Sequence, residues 1–119
     1  MRQYRHPVGD WLVEVPAGRL EEGEDELEAA RRELEEETGF RARRWSLLRR
    51  FWPAPGFCSE RMSLYLARDL EPAGDRRRAP DPDEEIELER WTPEQVLTRC
   101  RDAKTLVAAA QLILGPPGP

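Results

Sequence analysis

A chain of 119 residues has room for one domain and one modest core. Its apolar content is 39%, its charged content 36% and its formal charge −5, which suits a globular protein and gives no global basic field for a nucleic-acid backbone. No charged-then-apolar leader opens the chain and no apolar run reaches the ~18 residues that spanning a bilayer needs, so the expected setting is cytoplasmic, without a membrane. Cys58 and Cys100 stand apart, make neither a metal pair nor a disulfide framework, and read as buried or inert thiols.

The chain opens inside what reads as a strand. DWLVEV (10–15) alternates as a second strand, with Trp11, Val13 and Val15 on one side. PAG breaks it and EEGED forms a turn. From about Asp25 to Thr38 strong helix formers dominate, and Gly39 sits where a glycine would end the helix. WSLLRRFW (45–52) and RMSLYLARDL (61–70) read as strands separated by the stiff loop PAPGFCSE. EPAGDRRRAPDPDEE (71–85) is a long polar loop, and EIELERW (85–91) alternates into a further strand. Thr92 suits an N-cap, with Pro93 in the first turn and Gln95 as its capping-box partner. A last helix, roughly Ala103 to Leu114, stops at Gly115-Pro116-Pro117. This order predicts an α+β fold, an α/β/α sandwich with a mixed β-sheet, as a single domain over 1–115 with 116–119 as a tail.

Charge is uneven along this frame. Ten of the 24 carboxylates lie between Glu21 and Glu37, and six more between Asp81 and Glu89. On a helix advancing 100° per residue, with Glu33 at about 0°, Glu37 falls at about 40°, Glu36 at about −60° and Glu35 at about 200°. Three carboxylates therefore share one edge, beside a narrow apolar stripe of Leu27, Ala30 and Leu34 that would dock on a sheet. Arg32 can pair with Glu28 or Glu36 at i±4. Such a charge run is usually a solvated face. The same edge suits a cradle for a hard divalent cation, which takes carboxylate oxygens and water and would relieve the mutual repulsion.

Gly18, Glu24, Arg32, Glu33, Leu34, Glu36, Glu37 and Gly39 follow the spacing G-x5-E-x7-R-E-L-x-E-E-x-G. This closely resembles the Nudix box, the signature of the Nudix hydrolases; Phe40 stands where the family usually has an aliphatic residue. The resemblance implies hydrolysis of a nucleoside diphosphate linked to another group, with Mg²⁺ or Mn²⁺ as cofactor. By that likeness Glu33, Glu36, Glu37 and the main-chain carbonyl of Ala17 are metal ligands, and Arg32 orients the carboxylates. Gly18 is expected to let the backbone turn sharply and come close to metal and phosphate.

Outside the box, Pro55 lies 16 residues after Gly39, and PGF-x-S-E resembles the loop that helps enclose substrate in ADP-ribose pyrophosphatases. The match implies that Pro55, Phe57 and Glu60 meet a small-molecule nucleotide, and that Arg5, in RQYRHPVGDWLVEVPAG, contacts substrate phosphate. Phe57 and Trp52 are equally suited to stacking on adenine or to the core. Related pyrophosphatases bring a glutamate of a later acidic loop over the cleft as general base; Glu85 is preferred here, ahead of Glu84, Asp81 and Asp83, and Glu36 or Glu37 could serve instead. Arg76 to Arg78 read as a solvated run, and His6 as non-catalytic. With no Ser-His or Cys-His pair in prospect, a covalent triad is not expected. ADP-ribose pyrophosphatases usually carry an N-terminal sheet before the segment matching Met1 to Arg5, engaged in dimer formation and in gripping adenine. Its want leaves a homodimer open, and leaves FAD, NADH, nucleotide sugars, an oxidised nucleotide, or a non-catalytic nucleotide-binding module as alternatives to hydrolysis of ADP-ribose.

Overall fold

Residues 1–74 and 86–115, which the computed structural model describes, form two sheets and three helices. β1 (Arg2–Arg5) lies between β2 (Asp10–Val13) and the short β5 (Ile86–Glu87), antiparallel to both, with Tyr4 opposite Trp11 and Gln3 opposite Ile86. A second sheet pairs β3 (Phe40–Phe51) with β4 (Met62–Pro72), also antiparallel. α1 (Glu26–Thr38) packs against β3 and β4, while α2 (Pro93–Arg99) and α3 (Ala103–Leu114) pack on one another. The expected α+β sandwich is the architecture seen, its strands divided between two sheets. No helix among the described residues is long and apolar enough to cross a membrane. The expected tail, 116–119, lies outside them.

The helix ends are set by local chemistry. Asp25 caps α1 by accepting the Glu28 N–H (2.8 Å), and Gly39 ends it in the left-handed region at φ 74°, its N–H returning to Glu35 O. Thr92 and Gln95 form the reciprocal capping box of α2: Gln95 N–H donates to Thr92 Oγ1 (3.1 Å) and Thr92 N–H to Gln95 Oε1 (2.8 Å). Asp102 caps α3 through the Thr105 N–H (3.2 Å).

Three expectations change. The buried residues of α1 are Ala29 and Arg32, while Leu27, Ala30 and Leu34 are only half-buried. The helix has therefore turned its acidic edge inward, and the arginine is buried beside Ala29 while the aliphatic stripe is not. β3 begins five residues earlier than apolar alternation shows. Its first half is held by cross-strand ion pairs, Arg43–Glu71 (2.8 Å) and Arg44–Asp69 (2.5 Å), and its register slips by one between Leu47 and Arg49. Leu48 is the extra residue of that bulge, and half-burial recurs at Ala42, Trp45, Leu48 and Phe51, every third residue instead of every second. Finally Cys58 is exposed and Cys100 half-buried, both as free thiols.

Replacing Thr92 by Ala removes one half of a reciprocal cap and is expected to lower stability by about 1 kcal/mol. Urea unfolding measures this; an unchanged midpoint would show that α2 does not depend on its cap.

Candidate active site

Arg32 organises the acidic edge of α1. Its side chain is 7% exposed and reaches four acceptors. Nε and Nη2 donate to the two oxygens of Glu24 (2.9 and 3.2 Å), Nη1 to Glu33 Oε1 (2.9 Å) and Glu36 Oε2 (3.1 Å), and Nη2 also to the Arg19 carbonyl (2.9 Å). The hydrogen bonds donated to Glu24, then the charges of Glu33, Glu24 and Glu36, raise the guanidinium's pKa against the opposing pull of burial. The expected pairing with Glu36 is made. Glu28 instead takes Arg31 (2.9 Å), and Glu35, on the far side of the helix, takes Arg41 (2.8 Å).

Loop and helix close on each other at Gly18. A β-carbon there would lie 1.9 Å from Glu33 Oε1 and 2.0 Å from its carboxyl carbon, so any other residue would force the Glu33 side chain to move. The cause is the Glu33 side chain against the main chain, since Gly18 is not among the glycines of positive φ. Two residues along α1 from Leu34, Glu36 shares Arg32; Glu37 accepts the Ala17 N–H at 3.2 Å. Glu33 thus lies against Gly18 and Glu37 against Ala17, while Glu36 reaches the loop only through Arg32, whose Nη2 donates to the Arg19 carbonyl. The three carboxylates are oxygen donors of the kind that hard divalent cations take. Among the described residues no three acidic, His or Cys side chains meet as a ready-made cluster; Glu33 and Glu36 meet on Arg32 Nη1 instead.

A cavity of about 630 Å³ adjoins this corner. Ala17, Gly18, Glu33, Glu60 and Lys104 line it with a mostly apolar remainder that includes Leu34. Glu60 therefore shares a cavity with the box. Pro55 and Phe57 do not: with Trp52 they line a separate shallow depression of about 480 Å³. Phe57 is 92% exposed and Trp52 54%, so neither belongs to the core. His6, in the β1–β2 turn, stacks edge-on against Tyr4 (4.9 Å between centroids). Glu85, the preferred base, lies outside the described residues, as do Asp81, Asp83, Glu84 and Arg76 to Arg78.

Arg5 is where sequence reasoning missed its neighbours. Nε and Nη2 grip Glu14 in parallel (2.7 and 2.8 Å), and Lys104 Nζ approaches Glu14 Oε1 at 2.5 Å and Asp102 Oδ2 at 3.0 Å. Glu14 is 2% exposed, the reverse of the alternation that places Trp11, Val13 and Val15 inward. Burial alone would push its carboxyl up, and the bonds and charges of Arg5 and Lys104 outweigh that, leaving it below its ordinary value. Beside it, Thr105 Oγ1 accepts the Val15 N–H (2.9 Å) and donates to Asp102 (2.6 Å), tying α3 to the start of the loop. The one signal in the sequence was an acid set between valines just before the loop.

The NUDIX domain model matches residues 1–111. ADP-ribose pyrophosphatase of Bacillus subtilis (strain 168) is 38% identical across 96% of this chain and 64% of that protein. Methanol dehydrogenase activator of Bacillus methanolicus is 39% identical with the same coverage. A crystal structure of an ADP compounds hydrolase superposes with a TM-score of 0.82 at 28% identity, over 95% of this chain and 62% of that one. The chain thus spans a little under two thirds of the length of these relatives.

Two measurements check the geometry. Gly18→Ala should displace Glu33 and loosen the loop, destabilising the protein by about 1–3 kcal/mol, of the order that overpacking costs; wild-type stability would place the Glu33 carboxylate elsewhere. Glu14 has a folded-state pKa below its unfolded value near 4.5, so it contributes stability above that pH, and the contribution disappears as pH falls through the lower folded value. The groups facing it are Arg5 and Lys104, with Asp102 behind Lys104 and the Met1 amino group on its carbonyl. Melting temperature should fall more steeply below pH 4.5 in the unaltered protein than in Glu14→Gln.

Proposed function

The chain belongs to the NUDIX family, and from that premise we propose that it is a divalent-metal-dependent pyrophosphatase that splits ADP-ribose into AMP and ribose 5-phosphate. The observation that carries the reading is the corner at Gly18, where the Glu33 carboxylate lies against the glycine, Glu37 accepts the Ala17 N–H, and Glu36 is tied to the same edge of α1 through Arg32. A relative named ADP-ribose pyrophosphatase at 38% identity, and an ADP compounds hydrolase of the same fold, support the substrate. In this reading residues 1–115 act as a single domain in the cytoplasm.

Glu33, Glu36, Glu37 and the Ala17 carbonyl would hold the cation, with Mg²⁺ preferred and Mn²⁺ as substitute. The chemistry supplied by such a cation is neutralisation of the pyrophosphate's charge and acidification of water. The chain's residues do the rest. Arg32 keeps Glu33 and Glu36 on the loop side of the helix and touches no substrate. Arg5 keeps one nitrogen, Nη1, clear of Glu14 and offers it to a phosphate oxygen. Glu60, in the cavity beside Gly18, binds the ADP-ribose, and Pro55 and Phe57, in the separate depression, belong to the loop that helps enclose it. A carboxylate takes the proton as water adds to phosphorus and the bridging oxygen leaves with the other product. Glu85 is the first choice for that base, with Glu36 or Glu37 next.

One relative favours a second reading. The methanol dehydrogenase activator, 39% identical, raises the case that this chain acts on a nucleotide in the service of another enzyme.

A panel of ADP-ribose, FAD, NADH, GDP-mannose and 8-oxo-dGTP, with AMP and pyrophosphate read separately, tests the substrate. Turnover of ADP-ribose to AMP should exceed that of the others, and should vanish with EDTA and return with Mg²⁺. Glu37→Gln should lower turnover at least ~100-fold by removing a ligand. Unchanged turnover in that variant would refute the ligand set.

A further inference from the structure

We propose that Glu14 and Lys104 are positioning residues that aim Arg5 at the substrate, an inference that rests on the pyrophosphatase reading of the same site. Arg5 is 41% exposed and would otherwise sample many rotamers, whereas the buried Glu14 carboxylate takes two of its nitrogens in a parallel fork. Such a fork fixes the plane of the guanidinium as well as its distance. The fork uses Nε and Nη2, which leaves Nη1 as the nitrogen that the mount does not occupy.

Lys104 shares the carboxylate of that mount. Its Nζ, on a side chain 11% exposed, meets the same Glu14 Oε1 that accepts Arg5 Nη2, and rests in turn on Asp102, which caps α3. The four groups alternate as Arg5, Glu14, Lys104, Asp102 and are neutral together, so the Glu14 carboxylate is divided between two cations rather than spent on Arg5 alone. Lys104 also lines the cavity that holds Gly18, Glu33 and Glu60, so its charge is felt where the diphosphate would sit. Neither Glu14 nor Lys104 needs to touch substrate for this.

The test is a double-mutant cycle on the full chain, with ADP-ribose and saturating Mg²⁺. Glu14→Gln should raise KM about tenfold with kcat changed less than about threefold, and should move KM less than about twofold when Arg5 is already Ala. Equal shifts of KM in the two backgrounds would overturn the proposal, because a general structural defect does not depend on Arg5. Lys104 gives an arm that survives a folding failure of Glu14→Gln: Lys104→Met should raise KM and Lys104→Arg should restore it. KM unmoved in Lys104→Met would overturn Lys104's part. Should the unaltered chain bind ADP-ribose without cleaving it, only the pyrophosphatase reading fails, and the same cycle read as Kd decides this one. An unaltered chain that does not bind ADP-ribose overturns the aiming of Arg5 as well.

Discussion

A single guanidinium, that of Arg32, is packed where four carboxylates crowd together, and the geometry of the whole corner follows from it. Glu21, Glu24, Glu33 and Glu36 lie within 3.5 Å of its nitrogens, and its fifth contact is a backbone carbonyl of the loop. Removing an arginine from this position would leave acids facing one another in a partly dehydrated space, which is far more costly than losing an exposed pair. The side chain therefore does two things at once. It allows an acidic helix edge to turn inward, and it fastens the loop of Arg19 to the helix, so that Gly18 and Glu33 come into contact. The glycine, the inward edge and the adjoining cavity are consequences of that one charge.

A second ionic chain runs beside the first and is built on different elements. Arg32 gathers acids from one helix and its preceding loop, whereas Glu14 gathers cations from β1 and α3. Between them lies the segment from Val15 to Gly18, held at Val15 by Thr105, at Ala17 by Glu37 and at Gly18 by contact with Glu33. These restraints reach the segment from both α1 and α3. The segment is short and irregular, half-buried from Val15 to Ala17 and exposed at Gly18, and it is held by side chains instead of by a sheet ladder.

How much of this could be read from the sequence depends on how local the cause is. The caps at Gly39 and Thr92 are set by residues within four positions, and they were legible. The box was legible because its eight fixed residues lie on one loop and one helix. Glu14 was not: its burial depends on Arg5 nine residues before it and Lys104 ninety residues after it. Alternation turns Glu14 toward solvent, and two cations from distant elements turn it inward. The early start of β3 was hidden likewise, since Arg43 and Arg44 read as loop until Glu71 and Asp69 are placed across from them. The inward turn of α1 escapes a search for hydrophobic stripes, because the stripe buried there is ionic. Phe57 suits stacking and core equally as a residue type, and only its exposure decides between them.

The hydroxyl of Thr105 has one more implication. It serves a backbone N–H at Val15, 90 residues upstream, while its own proton goes to Asp102 in the helix cap. A peptide cut to span just the signature, or the signature grafted into a foreign scaffold, would arrive without that anchor. Transplanted in this way, the motif would retain its spelling and lose its shape. Portability, for this loop, ends at the last helix of the chain.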